Sequence, residues 1–221
     1  MTTIFPGVIV STHRLTKIRN GEPLNDDDLK TDGIKVKYQE LTDEPGDKGV
    51  FLCDIKQHYN GLFPDHFEAT YLTPETAAKK LHEEAGDKHL LFCVHGHNTE
   101  ARKWLSSVTK VREDGFFKKY YPVPVTWSLV GNLFAYDTNK QLALMAGRTM
   151  ENFVSNVDDE LFPRKSLMMH SLANHVVFNV ACRHGIPKVQ FDNIFMVGAV
   201  SVSHDLLTIL ARLHNEIQPH S

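Results

Sequence analysis

Lys165-Ser-Leu-Met-Met-His-Ser171-Leu-Ala-Asn-His-Val-Val-Phe178 is the stretch whose reading decides the fold. An apolar run of strand character ends on His170-Ser171, and an apolar run of helix character begins at once. A strand feeding directly into a helix through a serine is the sequence form of a sharp turn that lifts a hydroxyl above the carboxyl end of a sheet. Upstream, His89-Leu-Leu-Phe-Cys-Val-His-Gly-His-Asn98 reads as a second buried strand, ending in His95-Gly96. Each segment alone is ordinary, and their order along the chain gives each its meaning.

Working outward, strands and helices alternate from residue 73 onward. Thr73-Pro74-Glu75 opens a helix with a capping threonine and proline at the first helical position. Leu90–Val94 is a strand. Thr99 to about Gly115 is a helix with Trp104, Val108 and Val111 at helical spacing. Pro122–Trp127 is a strand, and Asn139–Leu161 is a helix with Leu142, Ala146, Met150, Phe153, Val157 and Leu161 on one stripe. Ser166–Met169 is a strand, and Leu172–Cys182 is a helix apolar nearly all round. Ile194–Val200 is a strand, and His204–Glu216 is a final amphipathic helix. Such alternation, with continuously apolar strands, predicts an α/β fold: a mostly parallel sheet covered on both faces, a three-layer sandwich.

Residues 1–72 read as strands and loops. Residues 7–14 begin a first strand, and 34–41 and 49–55 flank Asp43-Glu-Pro-Gly-Asp-Lys-Gly49, which predicts an N-terminal antiparallel hairpin around that turn. Neither a repeat nor a linker divides the chain, so 1–221 is expected to form one domain, with 1–72 as N-terminal strands and 73–221 as the parallel core.

Composition narrows the function classes. A chain of 221 residues with 42% hydrophobic and 23% charged residues can bury a core without disulfide staples. Its net charge of -3 and the lack of a basic stripe argue against a nucleic-acid partner. Of the three cysteines, Cys53, Cys93 and Cys182, none forms a CxxC pair, which fits buried free thiols in a reducing, cytoplasmic setting. The N-terminus lacks the pattern of a signal peptide, and no apolar run reaches the roughly 20 residues of a bilayer span. The 13 histidines include no HExxH, so neither a metal nor another cofactor is expected.

Ser171 at a helix start lies where unpaired backbone N–H groups and the helix dipole favour negative charge. A hydrolytic site uses such a position twice: it supports a nucleophilic serine, and the next N–H, that of Leu172, helps hold an oxyanion. The second donor is expected from the loop after the His-Gly strand, through the backbone N–H of His97. The plainer reading of each element is an N-cap serine, contributing about 1 kcal/mol, and ordinary turn chemistry at a strand end.

At these residues the chain resembles poorly characterised α/β-hydrolase-fold proteins of esterase and lipase type. Their signature runs Val-His-Gly-aromatic-Asn, then strand-Ser-Trp, Tyr-Asp and Ala-His-Ser-Met-Gly-Asn. Here stand Val94-His95-Gly96-His97-Asn98, Val125-Thr126-Trp127-Ser128, Tyr136-Asp137 and Met169-His170-Ser171-Leu172-Ala173-Asn174. The likeness covers roughly residues 89–205, with a fainter match at Val10-Ser11-Thr12-His13-Arg14. It implies an α/β-hydrolase-like fold with sheet order 1-2-4-3-5-6, Ser171 as nucleophile of a carboxylic ester hydrolase, and an oxyanion hole from the His97 and Leu172 amides. By the same resemblance His95, Gly96, Asn98, His170 and Asn174 are expected to support the site, and the substrate is expected to be a small-molecule acyl compound.

The departures are informative. Met169 and Ala173 stand where GxSxG has glycines, and methionine is bulky for a tight bend. After the sixth strand one helix remains before Ser221, so the last two strands of the fold, and the triad histidine they bring, are expected to be missing. Asp205 is then the candidate acid and His220 the candidate base of an incomplete or atypical triad. The alternatives are a non-catalytic binding or interaction protein of the same fold, a pseudoenzyme, and a truncated hydrolase. Loss of the last strands leaves 194–200 as an apolar edge, which predicts a homodimer paired there. Trp127–Phe134 is a candidate lining for an acyl pocket.

Overall fold

The computed structural model describes residues 2–11, 13–15, 34–37, 41–45, 51–60, 63–97, 99, 101–113, 118–127, 135–143, 146–147, 163–175 and 191–198. The described strands are β1 (Thr2–Ser11), β2 (His13–Leu15), β3 (Ile34–Lys37), β4 (Leu41–Pro45), β5 (Phe51–Asn60), β6 (Phe63–Leu72), β7 (His89–Val94), β8 (Tyr120–Thr126), β9 (Lys165–His170) and β10 (Asn193–Val197). Helix α1 spans Pro74–Ala85 and α2 spans Ala101–Glu113, while residues 136–143 and 146–147 are also helical. Eight strands form one sheet in the order β3-β6-β5-β1-β8-β7-β9-β10, and β2 pairs with β4 separately. From β1 to β10 each neighbouring pair is parallel, whereas β5, β6 and β3 join antiparallel.

The parallel half follows from the sequence. β7 is apolar from Leu90 to Val94 and β8 from Tyr120 to Val125 because both faces are covered, and side chains alternate between the two. Leu90, Phe92, Val94, Val123, Val125, Leu167 and Met169 join one core cluster with Ala77, Ala78 and Leu81 of α1 and with Leu142, Ala143 and Ala146. Leu91 and Cys93 turn to the opposite face and meet Val108 of α2, with Trp104 and Met168 beside them. Helices on both faces make the three layers. Each fully buried Leu or Phe contributes about 1.5–3 kcal/mol, so the core around β7 contributes strongly to stability.

Helix α1 starts as its sequence predicts. The Thr73 hydroxyl accepts the Thr76 N–H at 3.4 Å, and Pro74 occupies the first turn, where its missing donor is no loss. It ends at Gly86, whose φ of 54° and ψ of -129° suit only glycine, and the Gly86 N–H reaches the His82 carbonyl at 3.0 Å. At the opposite end of the sheet from the candidate site, the Tyr121 hydroxyl donates to Glu84 of α1 and accepts from Arg112 of α2 at 2.6 Å. Arg112 also lies 4.6 Å over the Tyr121 ring. Burial, with the Glu84 contact, outweighs Arg112 and raises the Tyr121 phenol above its usual range.

The order β8-β7-β9-β10 is the expected 4-3-5-6, but the N-terminal half differs. β1 lies directly beside β8 and parallel to it, and the antiparallel hairpin joins 51–60 to 63–72. It does not form around residues 43–49: 34–37 pairs with β6, and 41–45 pairs with β2. The reason lies in turn chemistry. Asn60 pairs with Phe63, leaving the two-residue connection 61–62 that begins with Gly61, a strong hairpin signal. Asp43–Gly49 is seven residues with Pro45, which sets no register. Among the described residues β10 is the edge of the parallel half of the sheet, and Ile194, Phe195 and Val197 on it are exposed. No helix among the described residues is long and apolar enough to cross a membrane.

Candidate functional site at the carboxyl ends of the parallel strands

β9 runs extended to His170, at φ -104° and ψ 129°, and then reverses abruptly. Ser171 has φ 52°, making it the one non-glycine residue with positive φ among the described residues. The left-handed region costs an L-residue about 1–2 kcal/mol, so the surrounding structure must hold this bend in place. It does so from below. A 3₁₀ turn covers 171–173, where Leu172 and Ala173 are fully buried. Asn174 closes it, with both its backbone N–H and its side-chain amide donating to the Ser171 carbonyl. Ser171 itself is only half-buried. Sinking its neighbours is what raises the serine.

Met169 does not obstruct the bend. As a strand residue paired with Val94 and Met196, it points into the core and is fully buried there. Its bulk fills the sheet face and stays out of the turn. Ala173 is likewise buried.

The loop after β7 meets the bend directly. A Cβ on Gly96 would lie 2.7 Å from His170 Nδ1, 2.8 Å from the His170 carbonyl and 2.9 Å from Ser171 Cβ. Only glycine allows two backbones this close. A Cβ on Gly198, which has φ +56°, would approach His170 Nε2 to 3.9 Å, so the exposed His170 ring spans the ends of β7 and β10. Three strand ends thus meet where open α/β sheets hold their ligands.

The histidines flanking Gly96 take opposite roles. His95 is completely buried; its Nε2 accepts the Trp127 N–H at 3.1 Å, and its carbonyl accepts the Trp127 indole N–H at 2.7 Å. Its ring stacks on Trp127 at 5.3 Å and 9°. Because Nε2 accepts, Nδ1 carries the proton and donates to the Gly96 carbonyl at 3.0 Å. His95 is therefore a fastener between the ends of β7 and β8. Trp127 is buried and engaged in that task; residues 128–134 lie outside the described residues.

His97 faces the helical segment 136–143. Its Nδ1 lies 3.0 Å from Asn139 Nδ2, and its ring meets Tyr136 edge-on at 5.8 Å. Its Nε2 is buried without a hydrogen-bond partner among the described residues. Asn139 is fully buried. Sequence reasoning missed Asn139 as a site residue, because an asparagine in a helical run carries no local signal of what it meets 42 residues away. It missed Gly198 too, whose left-handed φ was hidden in an apolar run.

The remaining candidates are placed as follows. Leu172 follows Ser171 in the 3₁₀ turn, and His97 follows Gly96, the glycine packed against Ser171. Asn98, Asp205 and His220 lie outside the described residues. Among the described residues no hydrogen bond engages the Ser171 hydroxyl, and no group of three or more His, Cys, Asp or Glu could hold a metal. One turn past Ser171, burial and then the nearby Lys140 charge push the His175 imidazole below its usual range. Beneath the sheet's other face, burial pushes the Cys93 thiol up to about 12 against a smaller opposing pull from Arg112.

Neither a curated protein nor a solved structure matches this chain. A family model does: that of alpha/beta hydrolases of unknown function (DUF900), over residues 73–198. That span runs from the cap of α1 to Gly198, taking in every described residue of the converging strand ends, and the chain belongs to this α/β-hydrolase family.

Proposed function

We propose that this chain is a serine hydrolase of carboxylic esters working through an acyl-enzyme on Ser171. The observation that carries the reading is the left-handed φ of 52° at Ser171, with Gly96 packed against it closely enough to exclude a methyl group. Strain at a non-glycine residue persists where a function needs the exposed hydroxyl, whereas an N-cap serine sits in relaxed extended backbone.

In this reading Ser171 Oγ attacks the ester carbonyl. The C–O bond to Ser171 forms, negative charge develops on the carbonyl oxygen, and the backbone N–H groups of Leu172 and His97 hold it. Two such donors are typically worth about 3–4 kcal/mol each in a transition state. Collapse breaks the bond to the leaving alcohol, which receives the proton taken from Ser171, and water then releases the acid. The base and its acid come from the segment after β10, with His220 and Asp205 as the candidates.

Labelling with a fluorophosphonate probe tests this. The wild type is expected to incorporate one label, Ser171→Ala none, and Asp205→Ala and His220→Ala to label far more slowly. A wild type that stays unlabelled, or a Ser171→Ala variant that labels as fast, removes the catalytic claim.

A further inference from the structure

Besides its backbone N–H, His97 carries a second hydrogen-bond donor, on its side chain. A primary amide nitrogen donates and does not accept, so Asn139 Nδ2 donates a hydrogen bond to His97 Nδ1 at 3.0 Å. The ring proton then sits on Nε2. That N–H is buried, with no partner among the described residues, and an unsatisfied buried donor costs about 1–3 kcal/mol. It belongs to the residue directly after Gly96, the glycine in contact with Ser171. The arrangement is built and not incidental. Asn139 is fully buried, its N–H bonds the Ala135 carbonyl at 2.9 Å, and Tyr136 from the same helical turn fixes the ring plane.

We infer that the His97 imidazole, oriented by Asn139, donates its Nε2–H to the acyl carbonyl oxygen of a substrate held at Ser171. This rests on the acyl-enzyme reading of Ser171. The ring serves as donor and not as base, because a proton added at Nδ1 would point at the Asn139 amide hydrogens. Asn139 is a positioning residue: it selects the tautomer. The assignment narrows the ligand class to molecules presenting a carbonyl or similar acceptor oxygen next to the reacting carbon. It also gives the site a donor independent of main-chain amides, one that a single substitution can remove.

Two substitutions separate this role from a structural one. His97→Phe keeps a ring against Tyr136 and loses the N–H. His97→Gln loses the ring and places an amide N–H near the same point. The second-order rate of fluorophosphonate labelling is expected to fall roughly 10- to 100-fold in His97→Phe, while His97→Gln keeps most of it. Asn139→Leu is expected to lower the rate as well. In wild-type protein the imidazole ¹⁵N spectrum, with His97 assigned from the resonances lost in His97→Gln, is expected to show the Nε2–H tautomer at neutral pH, and Asn139→Leu to mix the two tautomers. Labelling of His97→Phe at the wild-type rate, an equal fall in both His97 variants, or an Nδ1–H tautomer in the wild type overturns the inference. Wild type that shows the Nε2–H tautomer but never labels instead removes the reading of Ser171, and the substrate assignment with it.

Discussion

Gly96→Ala is the most exacting test of how the two halves of the site meet. The added methyl carbon would stand 2.7 Å from His170 Nδ1, 2.8 Å from the His170 carbonyl oxygen and 2.9 Å from Ser171 Cβ. Non-bonded carbons rest at about 3.5–4.0 Å, so the deficit at Ser171 is roughly 0.6–1 Å. The exposed His170 ring can swing away. The carbonyl and Ser171 Cβ cannot, because β9 is pinned between β7 and β10 in register up to Met169 and His170. Overpacking of this kind costs about 1–3 kcal/mol, which for a chain of this length lowers Tm by about 2–4 °C per kcal/mol. Displacing the loop by the better part of an ångström should slow fluorophosphonate labelling by about two orders of magnitude. Gly86→Ala is the control. It forces a side chain onto positive φ, at 54°, which Gly96→Ala does not, but its Cβ meets nothing within 4 Å and it lies at the far end of α1. It should lose comparable stability, about 1–3 kcal/mol, and label normally. If Gly96→Ala melts and labels like wild type, or Gly86→Ala slows labelling equally, the close contact is not what shapes the site.

Ser171→Gly should raise stability by about 1 kcal/mol by removing the left-handed strain, while abolishing labelling; Ser171→Ala, keeping the strain, should not stabilise, and thermal melts compare the two. For His175 the sign follows from its depressed folded-state value: the unfolded chain takes up the proton first, at about pH 6.5, so the contribution is full above that pH and is lost as pH falls through the folded value. Urea unfolding of His175→Gln should therefore show a shallower loss of stability below pH 6.5 than wild type. Cys93, buried with its thiol pushed up to about 12, should resist iodoacetamide at pH 8 in native protein and react once unfolded, read by peptide mass mapping. Modification of Cys93 in the folded state would contradict the packing of β7.

The sequence was most legible where local chemistry and burial agree. The middles of β7 and β8 are apolar because both faces are covered, β9 keeps an apolar Leu167–Met169 centre, and α1 carries its own start and stop signals in Thr73, Pro74 and Gly86. The bend at Ser171 was legible for the same reason, as an abrupt change of period with a serine at the joint. The N-terminal half was misread because register there is set by pairing partners far apart in sequence. Thr2–Ser11 lies against both Phe51–His58 and Val125–Thr126, and no local pattern states that. Pro124 was no obstacle to β8 lying between β1 and β7, although a proline within a central strand removes a donor. Met169 looked like a flaw in the turn motif only while its direction was unknown.

The consecutive residues His95, Gly96 and His97 show why a motif under-reports a site. As letters they are two identical side chains around a glycine. In the fold the first is sealed inside, fastened through both ring nitrogens and its carbonyl. The glycine is defined by what it lacks, since its absent Cβ makes room for the serine bend. The second histidine turns to Tyr136 and Asn139 and keeps one N–H unspent among the described residues. The strain at Ser171 and the unsatisfied donor at His97 lie within two residues of the same contact, and each is unfavourable to the folded chain taken alone. A fold shaped only for stability would relax one or both: glycine at 171 removes the first, and phenylalanine at 97 removes the second while keeping the ring packing. That both persist, beside fully buried Leu172, His95 and Asn139, is the physical ground for the proposed ligand oxygen beside Ser171.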